Sequence, residues 1–97
     1  MTSSVSTHVL DTAAGRPAEG IRVELYRGGE LVAWGDTNAD GRIPELAVDV
    51  APGTYELVFH PPSRFFQRVA FEVVLEAGHH HIPLLVSPYG CASYRGS

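Results

Sequence analysis

Apolar and polar residues alternate with a period of two along much of the chain. The apolar positions of the clearest segments are Ile21, Val23 and Leu25, then Tyr55, Leu57 and Phe59, and then Val69, Phe71, Val73 and Leu75. Successive side chains of a β-strand point to opposite faces of its sheet, so this pattern predicts strands with one buried and one solvated face. Polar residues between the apolar ones, such as Arg22 and Glu24, are therefore expected on the solvent side.

Clusters of Gly, Pro, Asn and Asp separate the alternating segments and predict about seven or eight short strands. The strands are expected near residues 4–10, 20–27, 31–37, 43–48, 54–60, 66–76, 79–87 and 91–96. No segment repeats its apolar residues with the period of a helix. The sequence therefore predicts an all-β fold, a two-sheet antiparallel β-sandwich, and its 97 residues suit a single domain covering 1–97.

Two of the predicted strands have no fully polar face. In residues 79–87, one face consists of Ile82, Leu84 and Val86, and the other of His79, His81, Pro83, Leu85 and Ser87. In residues 5–10, His8 and Leu10 share a face in the same way. An apolar surface with imidazoles beside it predicts a contact between sheets of different subunits, enclosing a small-molecule site.

Charge and cysteine content narrow the choice of partners and compartment. The formal net charge is -4 at pH 7 and no basic run is present, so we expect no nucleic-acid partner. The single cysteine, Cys91, fits a reducing compartment. Met1 precedes a short polar segment, and no apolar run approaches the roughly 20 residues of a membrane helix. We expect a cytoplasmic protein with no membrane partner, acting on a small molecule or another protein chain.

Two histidines, His8 and His81, are candidates for proton transfer. A neutral imidazole, whose pKa is ordinarily about 6.5, accepts a proton from water at neutral pH. The simplest alternative is that both are ordinary surface or interface histidines. His79 shares a face with His81, so the set of His8, His79 and His81 could instead form a zinc site with one position open for water. His80 faces the other way and is expected at the surface, at the end of its strand.

Arg42 and Ser97 are candidates for contacts with a substrate. Arg42 follows the Asp40-Gly41 turn, where most arginines are solvated, but its fixed charge and planar donors suit an oxyanion or a carbonyl oxygen. Ser97 offers a hydroxyl and a terminal carboxylate if its segment is ordered; the alternative is a frayed tail. The sequence contains no Gly-x-Ser-x-Gly elbow and no phosphate-binding loop, so nothing in it supports acyl-enzyme or nucleotide chemistry.

Several segments resemble the 5-hydroxyisourate hydrolase family, transthyretin-related enzymes of urate breakdown. They are residues 6–12 (STHVLDT), 15–18 (GRPA), 37–42 (TNADGR), 79–90 (HHHIPLLVSPYG) and 94–97 (YRGS). The resemblance runs essentially from end to end. The histidines and the Tyr-Arg-Gly-Ser segment distinguish the hydrolases from transthyretin itself, a hormone carrier whose corresponding positions lack them.

The resemblance implies a fold, an active site and an assembly. The fold is a transthyretin (prealbumin)-like sandwich; the implied catalytic residues are His8, Arg42, His81 and Ser97, and the implied substrate-binding residues are His8, Arg42 and Tyr94. The reaction is hydrolysis of 5-hydroxyisourate to 2-oxo-4-hydroxy-4-carboxy-5-ureidoimidazoline, without a metal or other cofactor. In it one histidine, which we take to be His8, activates water, Arg42 steadies the carbonyl oxygen, and His81 orients water or relays the proton. The sequence leaves open which of the two histidines is the base. The assembly is a homotetramer, a dimer of dimers joined through edge strands, with the sites in a central channel.

The sequence departs from the family pattern at three places. Cys91 and His80 each stand where a tyrosine is usual, so a hydrogen bond near the subunit contact is expected to be missing at Cys91. The segment 59–71 is shorter than usual, and the short helix of the family is expected to be absent there. Besides the hydrolase, three functions remain open at this point: a transthyretin-like small-ligand carrier without catalysis, a zinc-dependent hydrolase with three histidine ligands, and a structural domain.

Overall fold

Two β-sheets pack face to face in the computed structural model, which describes residues 1–96. Their strands are β1 (Ser3–Asp11), β2 (Arg16–Pro17), β3 (Arg22–Arg27), β4 (Glu30–Asp36), β5 (Arg42–Val50), β6 (Gly53–Phe59), β7 (Val69–Leu75), β8 (Gly78–His81), β9 (Leu84–Ser87) and β10 (Gly90–Ser93). The all-β, two-sheet sandwich predicted from the sequence is confirmed. Ser97, which the sequence analysis gives as a catalytic residue, lies outside the described residues.

The first sheet is organised around β1. It has the order β10-β9-β1-β2, and β5 and β8 also pair with β1 along its first half. The second sheet has the order β4-β3-β6-β7 and is antiparallel throughout. The first sheet is not, because β8 and β9 run parallel to β1. The chain crosses from the second sheet to the first between β7 and β8, and then runs beside β1 in the same direction.

The core lies between the sheets and is filled by the apolar positions of the alternating pattern. Its fully buried side chains include Val5, Val9, Val23, Leu25, Leu57, Phe59 and Leu84. Fully burying an aliphatic or aromatic side chain is worth about 1.5–3 kcal/mol, so these residues dominate the free energy that holds the sheets together. Because β1 turns its odd-numbered residues to the core, its even-numbered residues from Ser4 to Leu10 lie on the outer face of the first sheet.

The strand predicted over 79–87 is interrupted after His81. Residues 82 and 83 leave the regular pairing and separate β8 from β9, since a proline has no N–H to donate to a neighbouring strand. Pro83 was expected on the outer face and is instead fully buried. The prediction that Ile82, Leu84 and Val86 face the core is confirmed.

His80 is also placed differently from its expected position. It is buried, with 5% of its surface exposed, and its Nε2 lies 2.8 Å from the carbonyl oxygen of Glu76. The expectation of a surface residue at the strand end was wrong, because alternation along β8 turns this side chain inward and a nearby backbone carbonyl satisfies its ring nitrogen.

Glu24 was expected in solvent and is buried, with 8% exposure, on the outer face of the second sheet. Its carboxylate accepts a hydrogen bond from Arg22 Nε at 2.9 Å and lies 2.7 Å from His60 Nε2. These contacts lower the pKa of Glu24 to about 2. The hydrogen bond with His60 has the largest effect and that with Arg22 the next largest, while burial acts in the opposite direction. The Arg22 guanidinium also lies 4.2 Å from the centre of the Trp34 ring. Long neighbouring side chains thus cover a position that alternation alone assigns to water.

Two segments complete the fold: the shortened segment after β6, and the residues that follow β10. The segment 60–68 contains no helix, as expected from its reduced length. The last strand ends at Ser93, earlier than predicted, and Gly96 then forms an isolated antiparallel bridge with His81. Residues 1–96 include no helix that could span a membrane.

Candidate functional site

His8 and Arg42 face each other across two neighbouring strands of the first sheet. They are directly opposed in the antiparallel pairing of β1 with β5. Side chains of directly opposed residues lie on the same face of a sheet, about 4.5–5.5 Å apart at their β-carbons. Since His8 lies on the outer face, Arg42 lies there beside it, and β1 and β5 together bring an imidazole and a guanidinium to one place.

The turn before β5 holds Arg42 at its position. The side-chain oxygen of Asn38 accepts hydrogen bonds from the backbone N–H groups of Asp40 and Arg42, at 2.9 and 3.0 Å. Gly41 follows with a φ of 72°, a conformation that disfavours residues with a β-carbon. The carbonyl of Gly41 accepts from the N–H of Val9 at 2.7 Å, which ties the turn to β1. The start of β5, and with it Arg42, is therefore fixed in register with β1.

His81 joins the same face from the other side of β1. The parallel pairing of β1 with β8 places His81 beside Ser6, two residues before His8. The Ser6 hydroxyl lies 2.8 Å from Nδ1 of the His81 ring. Within residues 1–96, no side chain is hydrogen-bonded to the other ring nitrogen, Nε2.

Gly96 packs directly against His81. Its N–H donates a hydrogen bond of 2.7 Å to the carbonyl oxygen of His81. A β-carbon at position 96 would lie 2.7 Å from Cδ2 of the His81 ring, which is closer than real atoms approach. The absence of a side chain at Gly96 thus allows the terminal segment to cover one edge of the imidazole while Ser6 holds Nδ1.

The surroundings of His81 keep its ring neutral. Partial burial lowers the pKa of His81 below its ordinary value of 6.5, and the positive Arg42 and the rings of His8 and His79 lower it further. At neutral pH the imidazole therefore carries one proton. His8, Arg42 and His81 make up what we call the outer-face group: two imidazoles and one permanent cation on one sheet surface.

His79 lies on the same face but is engaged with serines at both ring nitrogens. Its Nδ1 is 2.7 Å from Ser4 Oγ, and its Nε2 is 2.9 Å from Ser6 Oγ. Within residues 1–96, no group of three or more His, Cys, Asp or Glu side chains is placed to hold a metal ion. A zinc site made of the three histidines would require His79 to give up one of its two serine hydrogen bonds, because both of its ring nitrogens are occupied.

Tyr94 lies at an edge of the sandwich. It is exposed and lines a cleft of about 330 Å³ together with Phe71, Leu75, His80 and Arg95. The residues lining this cleft do not include His8, Arg42 or His81. The cleft lies beside β7 and β10, and each of these is an edge strand of its sheet. Of the predicted site residues, three thus form the outer-face group, Tyr94 lies at the edge cleft, and Ser97 falls outside the described residues.

An apolar strip adjoins the outer-face group. Leu85 of β9 is paired with Leu10 of β1 on one side and with Ala92 of β10 on the other. Directly paired residues share a face, so these three side chains form a continuous band across three strands, with His8 two residues from Leu10. The predicted combination of an apolar surface and imidazoles is confirmed for Leu10, Leu85, His8 and His81.

Cys91 occupies the opposite face of β10. It is paired with Val86 and packs, half-buried, against the core. Burial raises the pKa of its thiol above the usual value, so this cysteine is a poor nucleophile and a small apolar packing residue.

Three residues that help to build the site were not singled out for that role from the sequence. Ser6 holds two histidines, Asn38 holds the turn before Arg42, and Gly96 packs on His81. A signal existed for Asn38, since an asparagine two residues before Asp-Gly is typical of a side-chain-capped turn. None existed for Ser6 and Gly96, because their roles depend on which strands become neighbours.

Comparison with known proteins places this geometry in a family. The family model described as HIUase/Transthyretin family matches residues 5–96. The chain is 41% identical over 114 aligned positions to 5-hydroxyisourate hydrolase 2 of Rhizobium meliloti, covering 96% of this chain and 95% of the relative. It is 40% identical to the 5-hydroxyisourate hydrolase of Pseudomonas aeruginosa, covering 96% and 90%.

Solved structures agree with the sequence relatives. The structure of Klebsiella pneumoniae 5-hydroxyisourate hydrolase matches with a TM-score of 0.89 at 38% identity, over 98% of this chain and 99% of that one. Sea bream transthyretin in complex with thyroxine matches with a TM-score of 0.84 at 21% identity, over 95% and 93%, and shows the shared fold alone. Because the family model and the relatives both span nearly the whole sequence, the chain belongs to the HIUase/Transthyretin family.

Proposed function

We propose that this protein hydrolyses 5-hydroxyisourate to 2-oxo-4-hydroxy-4-carboxy-5-ureidoimidazoline. The observation that carries the proposal is the outer-face group, in which His8 and Arg42 are directly opposed and His81 lies across β1. A hydrolase acting on a cyclic amide needs a base for water, a cation for the developing oxyanion and a proton donor for the leaving nitrogen. The relatives named 5-hydroxyisourate hydrolase support the choice of substrate.

The reaction assigns one role to each member of the group. His8 takes a proton from water as the water oxygen attacks the ring carbonyl, and Arg42 stabilises the negative oxygen that forms. The C–N bond then breaks, and the leaving nitrogen receives a proton by way of His81. General acid or base catalysis contributes about 10² to 10⁴ in rate, and an oxyanion donor about 3 kcal/mol.

Ser97 and Tyr94 complete the proposed site. Ser97 directly follows Gly96, whose backbone is bonded to His81, which supports a role for Ser97 beside the imidazole. Tyr94 is proposed to contact the substrate once a second chain covers the edge cleft. We expect Tyr94→Phe to raise KM more than it lowers kcat if the phenol contributes to substrate binding.

We propose a homotetramer, a dimer of dimers, as the active form. The strip of Leu10, Leu85 and Ala92 beside His8 supports packing of two such faces around the sites. The edge strands β7 and β10 support pairing into the dimers from which the tetramer is built. The lone Cys91 supports action in the cytoplasm, a reducing compartment in which no disulfide is needed.

The test is direct turnover. Urate and urate oxidase generate 5-hydroxyisourate in the cuvette, and we expect the protein to accelerate the decay of the hydroxyisourate absorbance. His8→Asn and His81→Asn should each reduce kcat by at least ~10²-fold with unchanged circular dichroism. Decay at the uncatalysed rate with purified, folded protein would contradict the proposal and favour a carrier.

A chelator arm addresses the zinc alternative. Exhaustive dialysis against a strong chelator should leave both the rate and the melting temperature unchanged. Stoichiometric zinc in the purified protein, with activity lost on its removal and restored by its return, would instead assign His8, His79 and His81 as ligands.

A further inference from the structure

Four side chains on the outer face of the first sheet form one continuous hydrogen-bonded chain. Ser4 Oγ is 2.7 Å from Nδ1 of His79, and Nε2 of His79 is 2.9 Å from Ser6 Oγ. Ser6 Oγ is in turn 2.8 Å from Nδ1 of His81. The chain begins at Ser4 and the exposed ring of His79, and it ends at His81, a member of the outer-face group.

The Ser6 hydroxyl couples the two imidazoles. A serine hydroxyl has one proton, so it donates to only one of the two ring nitrogens and must accept from the other. When Ser6 donates to Nδ1 of His81, Nε2 of His79 carries a proton and donates to Ser6. His81 then carries its own proton on Nε2, and His79 accepts the Ser4 proton at Nδ1. The tautomer of His81 therefore depends on the tautomer of His79, because both rings are hydrogen-bonded to the same Ser6 hydroxyl.

A neutral His81 needs a supply of protons if it is to act as an acid. Burial and the charge of Arg42 disfavour the imidazolium form. At neutral pH the ring is therefore not already charged when a leaving nitrogen needs a proton. A neutral imidazole that gives up its only N–H would become an anion, which is far less stable. Donation becomes feasible when Nδ1 receives a proton as Nε2 loses one.

We propose that Ser6 and His79 are positioning residues that deliver this replacement proton to His81. As His81 gives its Nε2 proton to the leaving nitrogen, the Ser6 hydroxyl proton moves to Nδ1 of His81. The Nε2 proton of His79 moves to Ser6, the Ser4 proton moves to Nδ1 of His79, and Ser4 takes a proton from water. Every member ends neutral with each tautomer reversed, and the proton that His8 removed from the attacking water returns to solvent.

The inference rests on the proposed hydrolysis and refines the part that His81 plays in it. It also explains why His79 is held at both ring nitrogens while lying outside the outer-face group. A histidine kept only for packing has no need of two serine partners, one of which is shared with His81.

The first experiment compares steady-state kinetics of four variants. Ser6→Ala breaks the chain, and His79→Gln keeps an amide N–H for Ser6 but cannot pass a proton. We expect each to lower kcat by about 10²-fold with KM changed less than about twofold, because proton transfer and not binding is impaired. The double variant should be no slower than either single variant, since all act on one chain. Ser6→Thr, which retains the hydroxyl, should recover most of the kcat lost in Ser6→Ala.

Ser3→Ala is the matched control. Ser3 is a buried serine of the same strand, and its hydroxyl donates a 2.6 Å hydrogen bond to the carbonyl of Glu76 on the opposite face. Its loss removes a bond of the same kind without touching His81, so kcat should stay within about twofold of the unmodified protein. Wild-type kcat in Ser6→Ala or in His79→Gln, or additive losses in the double variant, would overturn the relay.

The second experiment does not depend on activity. Nitrogen-15 NMR of the His81 ring near neutral pH should report a single tautomer with the proton on Nε2 in the unmodified protein, and a mixture in Ser6→Ala. Failure of hydroxyisourate turnover in the unmodified protein would remove the proposed function and leave this coupling intact. An identical His81 tautomer population in Ser6→Ala would remove the coupling even if the protein proves to be an active hydrolase.

Discussion

Gly96 and His81 are joined by a backbone hydrogen bond of 2.7 Å, and the ring of His81 occupies the space where a side chain at position 96 would begin. The contact links the end of the chain to a member of the outer-face group. Because a β-carbon at position 96 would lie 2.7 Å from Cδ2 and 3.2 Å from Cβ of His81, the whole imidazole would have to move to admit it.

We therefore expect Gly96→Ala to lower kcat by roughly 10-fold to 100-fold, since displacing a reacting group by about 1 Å has costs of this size. Gly90→Ala is the control, because a β-carbon there meets only the Ser87 hydroxyl, at 3.0 Å. Steady-state turnover and thermal melting of both variants test the contact. Unchanged kcat in Gly96→Ala would show that the ring tolerates movement.

Gly41→Ala should disturb the position of Arg42. A β-carbon at Gly41 would lie 2.6 Å from the carbonyl oxygen of Val9 and 2.7 Å from Cβ of Pro17, in addition to the strain of its positive φ. Gly15 has a similar φ, 69°, with nothing within 4 Å of a β-carbon, so Gly15→Ala measures the strain alone. We expect about 1–3 kcal/mol of lost stability from strain in both variants, with a further loss and reduced kcat only in Gly41→Ala. Chemical denaturation distinguishes them, and equal losses would contradict the steric explanation.

Activity should decline in acid, because an imidazole that is already protonated cannot take a proton from the attacking water, and the acid limb of kcat/KM is expected below pH about 6.5, the ordinary imidazole value. The pKa of His81 itself lies below that value. Its lowered pKa also means that this group's contribution to stability is present above about 6.5 and is lost as the pH falls through the folded pKa.

Arg42 offers a direct test of the cause. Arg42→Gln should raise the pKa of His81, because it removes a positive charge that disfavours the imidazolium, while the burial and the His8 and His79 rings remain. Arg16→Gln, at an exposed arginine of β2, is the control and should leave the titration unchanged. An NMR titration of His81 in both variants tests this. An unchanged pKa of His81 in Arg42→Gln would exclude the charge effect.

The outer face of the second sheet should contribute acid-dependent stability through Glu24. Its pKa is lowered to about 2 from 4.5, so the contribution is present above 4.5 and is lost as the pH falls toward 2. Glu24→Gln should cost about 1 kcal/mol at pH 7 and make the melting temperature less sensitive to pH in that range. Glu56→Gln, whose exposed carboxylate lies 3.2 Å from Arg68, should change stability by less than about 0.5 kcal/mol. Parallel acid-dependence curves for Glu24→Gln and the unmodified protein would be inconsistent with this assignment.

Leu85→Glu should break the proposed tetramer into dimers. The change places a carboxylate in the centre of the apolar strip, between Leu10 and Ala92, and kcat should fall together with the assembly if the sites need both halves. Leu31→Glu, at a leucine that is 46% exposed in the second sheet, is the control for added charge. Light scattering gives the oligomeric state, and turnover measured on the same samples gives the activity of that state. A fully active dimer or monomer would contradict a site shared between dimers.

The alternating pattern by itself determined the fold class, because burying one face of each strand requires a second sheet to cover it. It also assigned Ile82, Leu84 and Val86 to the core. It misplaced Pro83 and Glu24, since period-two alternation cannot anticipate a proline that interrupts pairing or a neighbouring strand that supplies partners for a polar group. His80 follows the alternation to the inner face, and the expectation of a surface residue failed because the backbone carbonyl of Glu76 provides a hydrogen-bond partner for its buried ring.

Which residues meet was decided by the tertiary structure. The residue types His8, Arg42 and His81 suggested proton transfer and anion stabilisation, yet only the pairing of β1 with β5 and β8 brings them to one face. The links from Ser6 to two histidines and from Gly96 to His81 span 73, 75 and 15 positions of the chain. Contacts of that range depend on strand order and register, which are set by the packing of the whole core and not by the local sequence.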